Sequence, residues 1–458
     1  MHQVELTKEL INKYNIQGPR YTSYPTAPHW SSDVSSESYQ EALQKMTSDD
    51  SSISLYIHIP YCEQLCTFCA CNVKITQRHQ SVGDSYVDLL IKELDLIDQN
   101  LSKKKVALQC HFGGGTPNFL TIEQMERLWN RLKESFDISL DGEISIEVDP
   151  RTVTKEQLRY YREIGFNRIS MGIQDFDTDV QKAINRVQSF SLVKDLFETC
   201  RALSYVSINF DLIYGLPFQT KETFMNTVDH VCSLSPDRIA LYSFAYVPWL
   251  KKQQKLIDPK TLPSPEEKID IFLASRDFLF DHHYKGIAMD HFALETDEMF
   301  KAFESQKLYR NFMGYTLKHT QDFIGLGVSS IGFLQNTFVQ NHKNLKTYRS
   351  NLEENILPTE RGKILTKDDK IRFWVIYSFM CHFFIDTIEF KNKFKVDFNE
   401  YFKKEEKHIQ KCVEEGLLIK DKDTFLTTDL GKLFIRNICM GFDAYFSPSS
   451  EQKFSQTV

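Results

Sequence analysis

The sequence predicts an α/β fold: a partial (β/α)6 barrel of the TIM type, with an N-terminal extension over residues 1–52 and a mainly helical C-terminal domain over 361–458. The barrel and its additional elements occupy 53–360. Three observations predict this. Between 53 and 244, six short extended runs alternate with helical ones, the spacing of βα units in a parallel arrangement. Those runs are apolar at every second position, as strands with two different faces are. Beyond about 360 the periodicity becomes helical.

The elements follow in order. ISLYIHI (53–59) precedes a helix near 82–99, and VALQCHF (106–112) one near 121–135. EISIEVD (143–149) precedes a helix near 154–163. NRISMGIQ (167–174) precedes helical segments near 178–203, and SINFDLIYG (207–215) a helix near 220–232. DRIALYSF (237–244) closes the series. On one face of these strands stand Leu55, Ile57, Ile59, Ile144, Ile146, Val148, Ile169, Met171, Ile173, Ile208, Phe210 and Leu212. The other carries Tyr56, His58, Gln109, His111, Glu143, Ser145, Glu147, Asp149, Ser170, Gln174, Asn209 and Asp211. If the apolar face meets outer helices, the polar face lines the interior. A polar interior is too costly to bury dry, so a roomy lumen holding water or a polar ligand is expected. An antiparallel sheet with one solvated face would alternate in the same way; the intervening helices argue against it.

The remaining elements are simpler. The first fifty residues are polar and serine-rich, and are expected to fold over the barrel mouth as a lid. In "LTKDDKIRFWVIYSFMCHFFI", Thr366 is the expected N-cap. "FNEYFKKEEKHIQKCVEEGLLIK" is amphipathic with Gly416 near its end, and "TFLTTDLGKLFIRNICMGF" reads as strand then helix. This resembles a winged helix. Its acids match its bases, so a cover or packing role suits it better than DNA binding.

Composition excludes several classes. The chain has 458 residues, 41% hydrophobic and 26% charged, ordinary for a globular protein. Its 55 basic and 62 acidic residues give a net charge of −7, which argues against a nucleic-acid binder. The N-terminus has no apolar signal core, and no stretch reaches the roughly 18–20 apolar residues of a membrane span. A cytoplasmic protein with reduced thiols is therefore expected, without nucleic-acid or membrane partners and acting as a monomer.

Four of the ten cysteines lie within ten residues: Cys62, Cys66, Cys69 and Cys71. The other six, scattered among apolar neighbours, read as small core residues. Zinc sites usually come as two separated pairs, and no second pair is obvious. A cubane iron–sulfur cluster also uses closely spaced thiolates. Three ligands in a Cys-x3-Cys-x2-Cys loop would leave one iron open for a substrate or cofactor. The loop follows the first strand, at the C-terminal mouth where barrel enzymes keep their sites. Gly113–Gly115 follow the second strand, where glycines let backbone amides approach a ligand.

The Cys62/Cys66/Cys69 loop with Phe68 before its last cysteine resembles the radical S-adenosylmethionine (SAM) superfamily. The fourth cysteine in "CACN" narrows the match, as do "GPRYTSYPTAPHW" (18–30), "HFGGGTPNFL" (111–120), "EISIEVDPR" (143–151) and "GFNRISMGIQDF" (165–176). So do "NFDLIYGLP" (209–217), "MDHFA" (289–293) and "RNICMGFDAYF" (436–446). Together they resemble the oxygen-independent coproporphyrinogen III oxidase family over nearly the whole chain. The resemblance implies a radical SAM barrel, one [4Fe–4S] cluster held by Cys62, Cys66 and Cys69, and two SAM molecules. It implies that Tyr56, Gly114, Glu147 and Ile331 contact the cluster-bound SAM. Phe68, Gly115, Thr116, Gln174, Arg186, Asp211 and Ala245 would contact the second. Cys71 and Tyr56 are the expected catalytic residues, Cys71 near the substrate or second SAM rather than on iron.

The implied substrate is coproporphyrinogen III, a tetra-anion that loses carbon dioxide from two propionates to give two vinyl groups in haem biosynthesis. An electron donor such as flavodoxin or ferredoxin, and an electron acceptor, are implied partners. Arg20, His58, His291 and Arg310 are candidates to hold carboxylates. A haem chaperone of the same fold is the rival reading. Those relatives lack the fourth cysteine and the "RYTSYP" and "RNICM" stretches, all present here.

Overall fold

The computed structural model describes residues 6–46, 52–318, 320–447 and 454–457. Six parallel strands form the barrel: β1 (Ile53–Ile59), β2 (Lys105–Gly114), β3 (Phe136–Val148), β4 (Arg168–Gln174), β5 (Ser207–Tyr214) and β6 (Arg238–Ser243). Helices intervene: α3 (His79–Asp98), α4 (Ile122–Ser135), α5 (Lys155–Glu163), α6 (Thr178–Ala183), α7 (Phe190–Ala202) and α8 (Lys221–Leu234). They are preceded by α1 (Lys8–Tyr14) and α2 (Ser36–Gln44) and followed by α9 (Pro265–Asp281). Thr121, Thr154, Thr220 and Ser264 cap α4, α5, α8 and α9 with reciprocal capping boxes, each cap contributing about 1 kcal/mol.

The twelve apolar positions read from the sequence are at most 4% exposed and form the main core against the helices. The polar positions turn to the interior. Glu147 is enclosed by protein on every side, yet 44% of its side-chain surface stays open. It lines a lumen, as the alternation predicts.

The sheet is larger than the six-stranded series. β7 (Tyr284–Ile287) and β8 (His291–Leu294) add antiparallel beyond β6. β9 (Asp322–Leu326) adds parallel to β1, and β10 (Ile331–Leu334), β11 (Thr337–Asn341) and β12 (Thr359–Ile364) continue antiparallel. The order is β12-β11-β10-β9-β1-β2-β3-β4-β5-β6-β8-β7, an open twelve-stranded sheet. A ribbon of Tyr309–Asn311 and Gly314–Thr316 reaches the N-terminal end of the barrel, where the Thr316 hydroxyl donates to Glu143 at 2.6 Å.

The C-terminal part builds a second core around α10 (Lys367–His382, capped by Thr366) and a three-stranded antiparallel sheet of Phe384–Asp386, Thr424–Thr427 and Leu418–Asp421. Tyr14, Tyr21 and Tyr24 of the N-terminal segment belong to this core, while Tyr39 and Leu43 of α2 pack into the barrel core. The stretch expected over the mouth thus runs between the two cores. It meets the mouth at Arg20, which donates to the Ser243 carbonyl at the end of β6 (2.9 Å).

Candidate functional site: the cysteine loop and the polar lumen

Tyr61–Cys62 pairs with Lys74–Ile75, closing residues 63–73 as a loop at the C-terminal mouth. Neighbours hold it from two sides. Thr67 bonds the Ile184 and Ala183 carbonyls at 3.0 Å each, and Asn185 reaches the Leu65 carbonyl at 2.8 Å. From the segment after β6, Gln254 donates to the Phe68 carbonyl (2.8 Å), Gln253 to that of Cys69 (2.6 Å) and Lys251 to that of Cys71 (3.0 Å).

Each of the first three sulfurs has a hydrogen-bonding neighbour. Cys62 Sγ is 3.3 Å from Thr116 Oγ1, Cys66 Sγ is 3.5 Å from Arg151 Nη2 and 3.8 Å from Arg186 Nη1, and Cys69 Sγ accepts from the Cys71 amide at 3.4 Å. Such donors suit anionic, iron-bound sulfur and tune cluster potential. Burial pushes the metal-free Cys62 thiol up to about 11, whereas the Cys71 side chain draws Cys69 down to about 7. Among the described residues, no three His, Cys, Asp or Glu side chains converge as on a single metal ion. A cubane does not ask for that, because its three thiolates sit on three irons, and the donor set fits it.

The lumen wall next to the loop is fully bonded. His58 Nε2 faces the Asn72 carbonyl at 3.4 Å, so Nδ1 accepts from the Tyr56 hydroxyl at 3.0 Å. Burial lowers His58 to about 4. It is neutral, which removes it from the candidates for holding a carboxylate. The Tyr56 ring stacks on His111 at 5.9 Å. His111 bonds Ser145 Oγ (2.7 Å) and Glu147 Oε1 (3.1 Å), and the Gly114 amide donates to Glu147 Oε2 (3.2 Å). Burial opposes the Glu147 charge, but His111 and this amide hold its carboxyl below the usual range. Gly114 has φ +115°, and a Cβ there would lie 2.5 Å from the His58 ring. Only glycine fits the position.

The opposite wall, from β4 to β6, differs. Asp211 accepts from Ser170 and Asn209 at 2.9 Å each, and burial together with the Glu147 charge raises it to about 6. Gln174 ends β4 with φ +66°, and its Oε1 is buried without a hydrogen-bond partner. So are Arg186 Nε, Gln188 Oε1 and Asn209 Oδ1. Arg186 is 7% exposed, bridges Asp149 at 3.0 Å and donates to the Gly172 carbonyl at 2.6 Å. It is no solvated helix-end charge.

The structure thus brings Tyr56, Glu147, Gln174, Arg186 and Asp211 to one lumen, with the Gly114–Gly115–Thr116 turn at its mouth. Cys71 is exposed, and its amide donates to Cys69 Sγ at 3.4 Å. Ala245 follows β6 and accepts from Gln254 at 3.1 Å. Phe68 packs with Val180, Ile184, Leu216, Phe244 and Ile257. Ile331 starts β10 beside Gly325, the β9 residue paired with Tyr56. The six remaining cysteines are buried, as expected. Sequence reasoning missed Arg151 and the Lys251–Gln254 strap, which act across long separations, and the full role of His111. The alternation had already put His111 on the polar face.

A polar lumen under a three-cysteine loop on a parallel barrel defines a radical SAM architecture, and residues 56–231 match the Radical SAM superfamily. Residues 365–434 match the HemN C-terminal domain. A Synechocystis protein named oxygen-independent coproporphyrinogen III oxidase is 41% identical, covering 99% of this chain and 98% of its own. The Escherichia coli K12 protein of that name is 40% identical with both chains fully covered. A solved structure of coproporphyrinogen III oxidase (HemN) from Escherichia coli, described as a radical SAM enzyme, superposes with a TM-score of 0.91 at 38% identity, covering 97% of this chain and all of that one. The chain belongs to the oxygen-independent coproporphyrinogen III oxidase family.

Proposed function

We propose that the protein catalyses the oxygen-independent oxidative decarboxylation of coproporphyrinogen III to protoporphyrinogen IX. The observation that carries this reading is the loop of three donor-supplied thiols at the mouth of a polar lumen. Each reacting propionate gives up a hydrogen atom, carbon dioxide and one electron and becomes a vinyl group. When bound, the reduced cluster and SAM supply a 5′-deoxyadenosyl radical as hydrogen abstractor.

Cys62, Cys66 and Cys69 would hold the cluster through three of its irons. Tyr56, Gly114, Glu147 and Ile331 would hold the cluster-bound SAM, the Glu147 carboxylate suiting an ammonium or ribose hydroxyls. A second SAM would be held by Phe68, Gly115, Thr116, Gln174, Arg186, Asp211 and Ala245, where the orphaned amide and guanidinium atoms of β4 and its following turn would gain partners. Cys71 and Tyr56 act at the reacting centre, Tyr56 holding its proton toward His58. The fixed N-terminal segment and the C-terminal domain shut the site from water. An external low-potential protein gives the first electron and a separate acceptor takes the last. A reducing cytoplasm suits ten free cysteines, and no helix among the described residues is long and apolar enough to cross a membrane. The protein acts as a monomer.

The test is anaerobic turnover of coproporphyrinogen III with SAM and a low-potential reductant. Vinyl product with 5′-deoxyadenosine is the expected result. Tight haem binding without vinyl product would replace the oxidase with the haem chaperone reading.

A further inference from the structure

A cavity of about 720 Å³ lies between the barrel sheet and the C-terminal domain, within the roughly 300–1,000 Å³ of small-molecule sites. Phe323, Phe333 and Phe338, on β9, β10 and β11, line it from the sheet. Phe373, Trp374 and Tyr377 of α10 line it from the C-terminal side. Of these six rings only Phe323 and Phe338 are buried; the other four keep part of their surface open. Half-open rings from two parts of the fold, gathered around one space, are surface that an apolar ligand would cover.

The cavity stands at the end of the sheet opposite the cysteine loop. Its Asp322 and Phe323 pair with Ile53 and Ser54, the first residues of β1, whereas the loop follows the last, Ile59. Over the seven residues of β1, at about 3.3 Å each, the two ends are about 20 Å apart. Thr316 and Thr320 also line the cavity. Their hydroxyls bond Glu143 at 2.6 Å and Ser54 at 2.7 Å, on the inward face of the barrel strands. These two residues therefore stand between the cavity and the lumen.

The charges in the lining are unevenly paired. Asp322 is occupied by the Gln335 amide and side chain (2.7 and 2.9 Å), and Asp386 by the amides of Ile388 and Glu389 (2.8 and 3.0 Å). Lys318 follows the ribbon, Lys370 lies in the first turn of α10, and Lys393 on the helix Thr387–Phe394. Among the described residues, none accepts a hydrogen bond from these three ammonium groups or pairs with them. Lys370 and Lys393 are exposed, so their charges sit at the rim, where an ammonium on a flexible stem can meet a carboxylate. Aromatic walls below amines suit a ligand with an apolar body and carboxylates at its edge.

We infer that this cavity is a second tetrapyrrole site, separate from the reacting centre, with the macrocycle against the aromatic walls and its propionates on Lys318, Lys370 and Lys393. The identity of the ligand rests on the oxidase reading. Substrate and product share the required chemistry, with four carboxylates on the first and two on the second.

The test titrates anaerobically purified holoenzyme with coproporphyrin III and protoporphyrin IX, the stable macrocycles corresponding to substrate and product, by fluorescence quenching. Lys370→Glu/Lys393→Glu is compared with Lys367→Glu/Lys391→Glu, the same charge change on the same two helices outside the lining. Losing two exposed pairs and gaining two repulsions should raise the porphyrin Kd roughly tenfold in the first variant, against less than about twofold in the second. Iron content and the rate of vinyl formation at saturating coproporphyrinogen III should match wild type in both. Tighter binding of protoporphyrin IX assigns the site to product, and of coproporphyrin III to substrate. An unchanged Kd in Lys370→Glu/Lys393→Glu, or an equal change in both variants, overturns the site and leaves the oxidase reading standing. Vinyl formation lost in step with binding would make the cavity part of the reacting centre and also overturns it. Wild type that forms no vinyl product but binds porphyrin through these lysines keeps the site and removes the oxidase.

Discussion

The two walls of the lumen face one another across the same space and are built in opposite ways. On the wall beside the cysteine loop, Tyr56, His58, His111 and Glu147 form a closed chain in which every polar atom of the two histidines and the carboxylate has a partner. Glu147 is ionised there. On the β4–β6 wall, Gln174, Arg186, Gln188 and Asn209 each leave a buried polar atom without a partner, and Asp211 is raised to about 6. Leaving a buried group unsatisfied costs about 1–3 kcal/mol, so these four atoms are where a polar ligand would gain most. The first wall is preorganised. The second carries unpaired polar atoms. Two carboxylates in one lumen whose surroundings push them apart mark two different tasks.

The largest effect comes from breaking the loop that the first wall serves. Cys66→Ala removes the sulfur that Arg151 and Arg186 both approach. Iron and sulfide in anaerobically purified protein should fall to background, and with them all turnover. Near-normal iron content would refute the ligand assignment.

The second wall breaks differently. Asp211→Ala should leave iron at the wild-type level but lower bound SAM from about two per chain to one, by anaerobic equilibrium dialysis, with decarboxylation falling with it. A variant still binding two would place the second SAM elsewhere. Cys71→Ser separates the walls further: it should keep the cluster and some SAM cleavage and lose most decarboxylation. Iron, 5′-deoxyadenosine and protoporphyrinogen measured in one reaction decide it. Loss of the cluster would make Cys71 a ligand.

How much of this contrast could be read in the sequence depends on the length scale of the signal. The barrel strands were legible because period-2 alternation and intervening helices are local. The faces followed, and with them Tyr56, Glu147, Gln174 and Asp211. The strands from 284 to 364 were not, being only three to six residues each. The β10–β11 turn, Gln335–Asn336 with both φ positive, lacks the Asn-Gly or Asp-Gly signature. The loop strap was illegible for another reason. Lys251, Gln253 and Gln254 hold the cysteine loop through its backbone carbonyls about 180 residues away, which no side-chain pattern encodes. His58 looked like a cation because burial, which neutralises it, is invisible in a chain of letters.

The Asp211 pKa sharpens the comparison by pH. The carboxylate is the form that receives ribose hydroxyls or an ammonium. Its raised value of about 6 means that acid removes this form sooner than for an ordinary aspartate. Affinity for the second SAM should therefore weaken about tenfold for each unit below pH 6 and level off above it, while an Asp211→Asn variant should show a flat profile. A flat wild-type profile would detach Asp211 from that ligand.

The smallest effect tests whether a raised carboxyl by itself marks function. Glu93, on α3, is fully buried away from the lumen. It accepts from the Gly327 amide at 2.8 Å, and from Asn341 Nδ2 and the Tyr348 hydroxyl at 2.5 Å each. Burial outweighs these bonds and raises it from 4.5 to about 7. The folded state therefore keeps a proton that the unfolded chain releases. The stabilising contribution is full below about 4.5 and is lost as pH rises through about 7. At 1.36 kcal/mol per unit, the shift is worth about 3 kcal/mol across the window. Glu93→Gln keeps one acceptor oxygen, which can serve Gly327 and Tyr348 on the Oε2 side, turns its amide nitrogen toward Asn341, and cannot ionise. Its stability relative to wild type should therefore improve by about 2–3 kcal/mol between pH 5 and pH 8, by denaturant titration, with iron content and two bound SAM unchanged. Asp211 shares the direction of shift but adjoins orphaned polar atoms in an open lumen; Glu93 has three donors in a dry core. A change in SAM stoichiometry in Glu93→Gln would show that the raised carboxyl alone, and not the unfinished wall around it, is what distinguishes the ligand side.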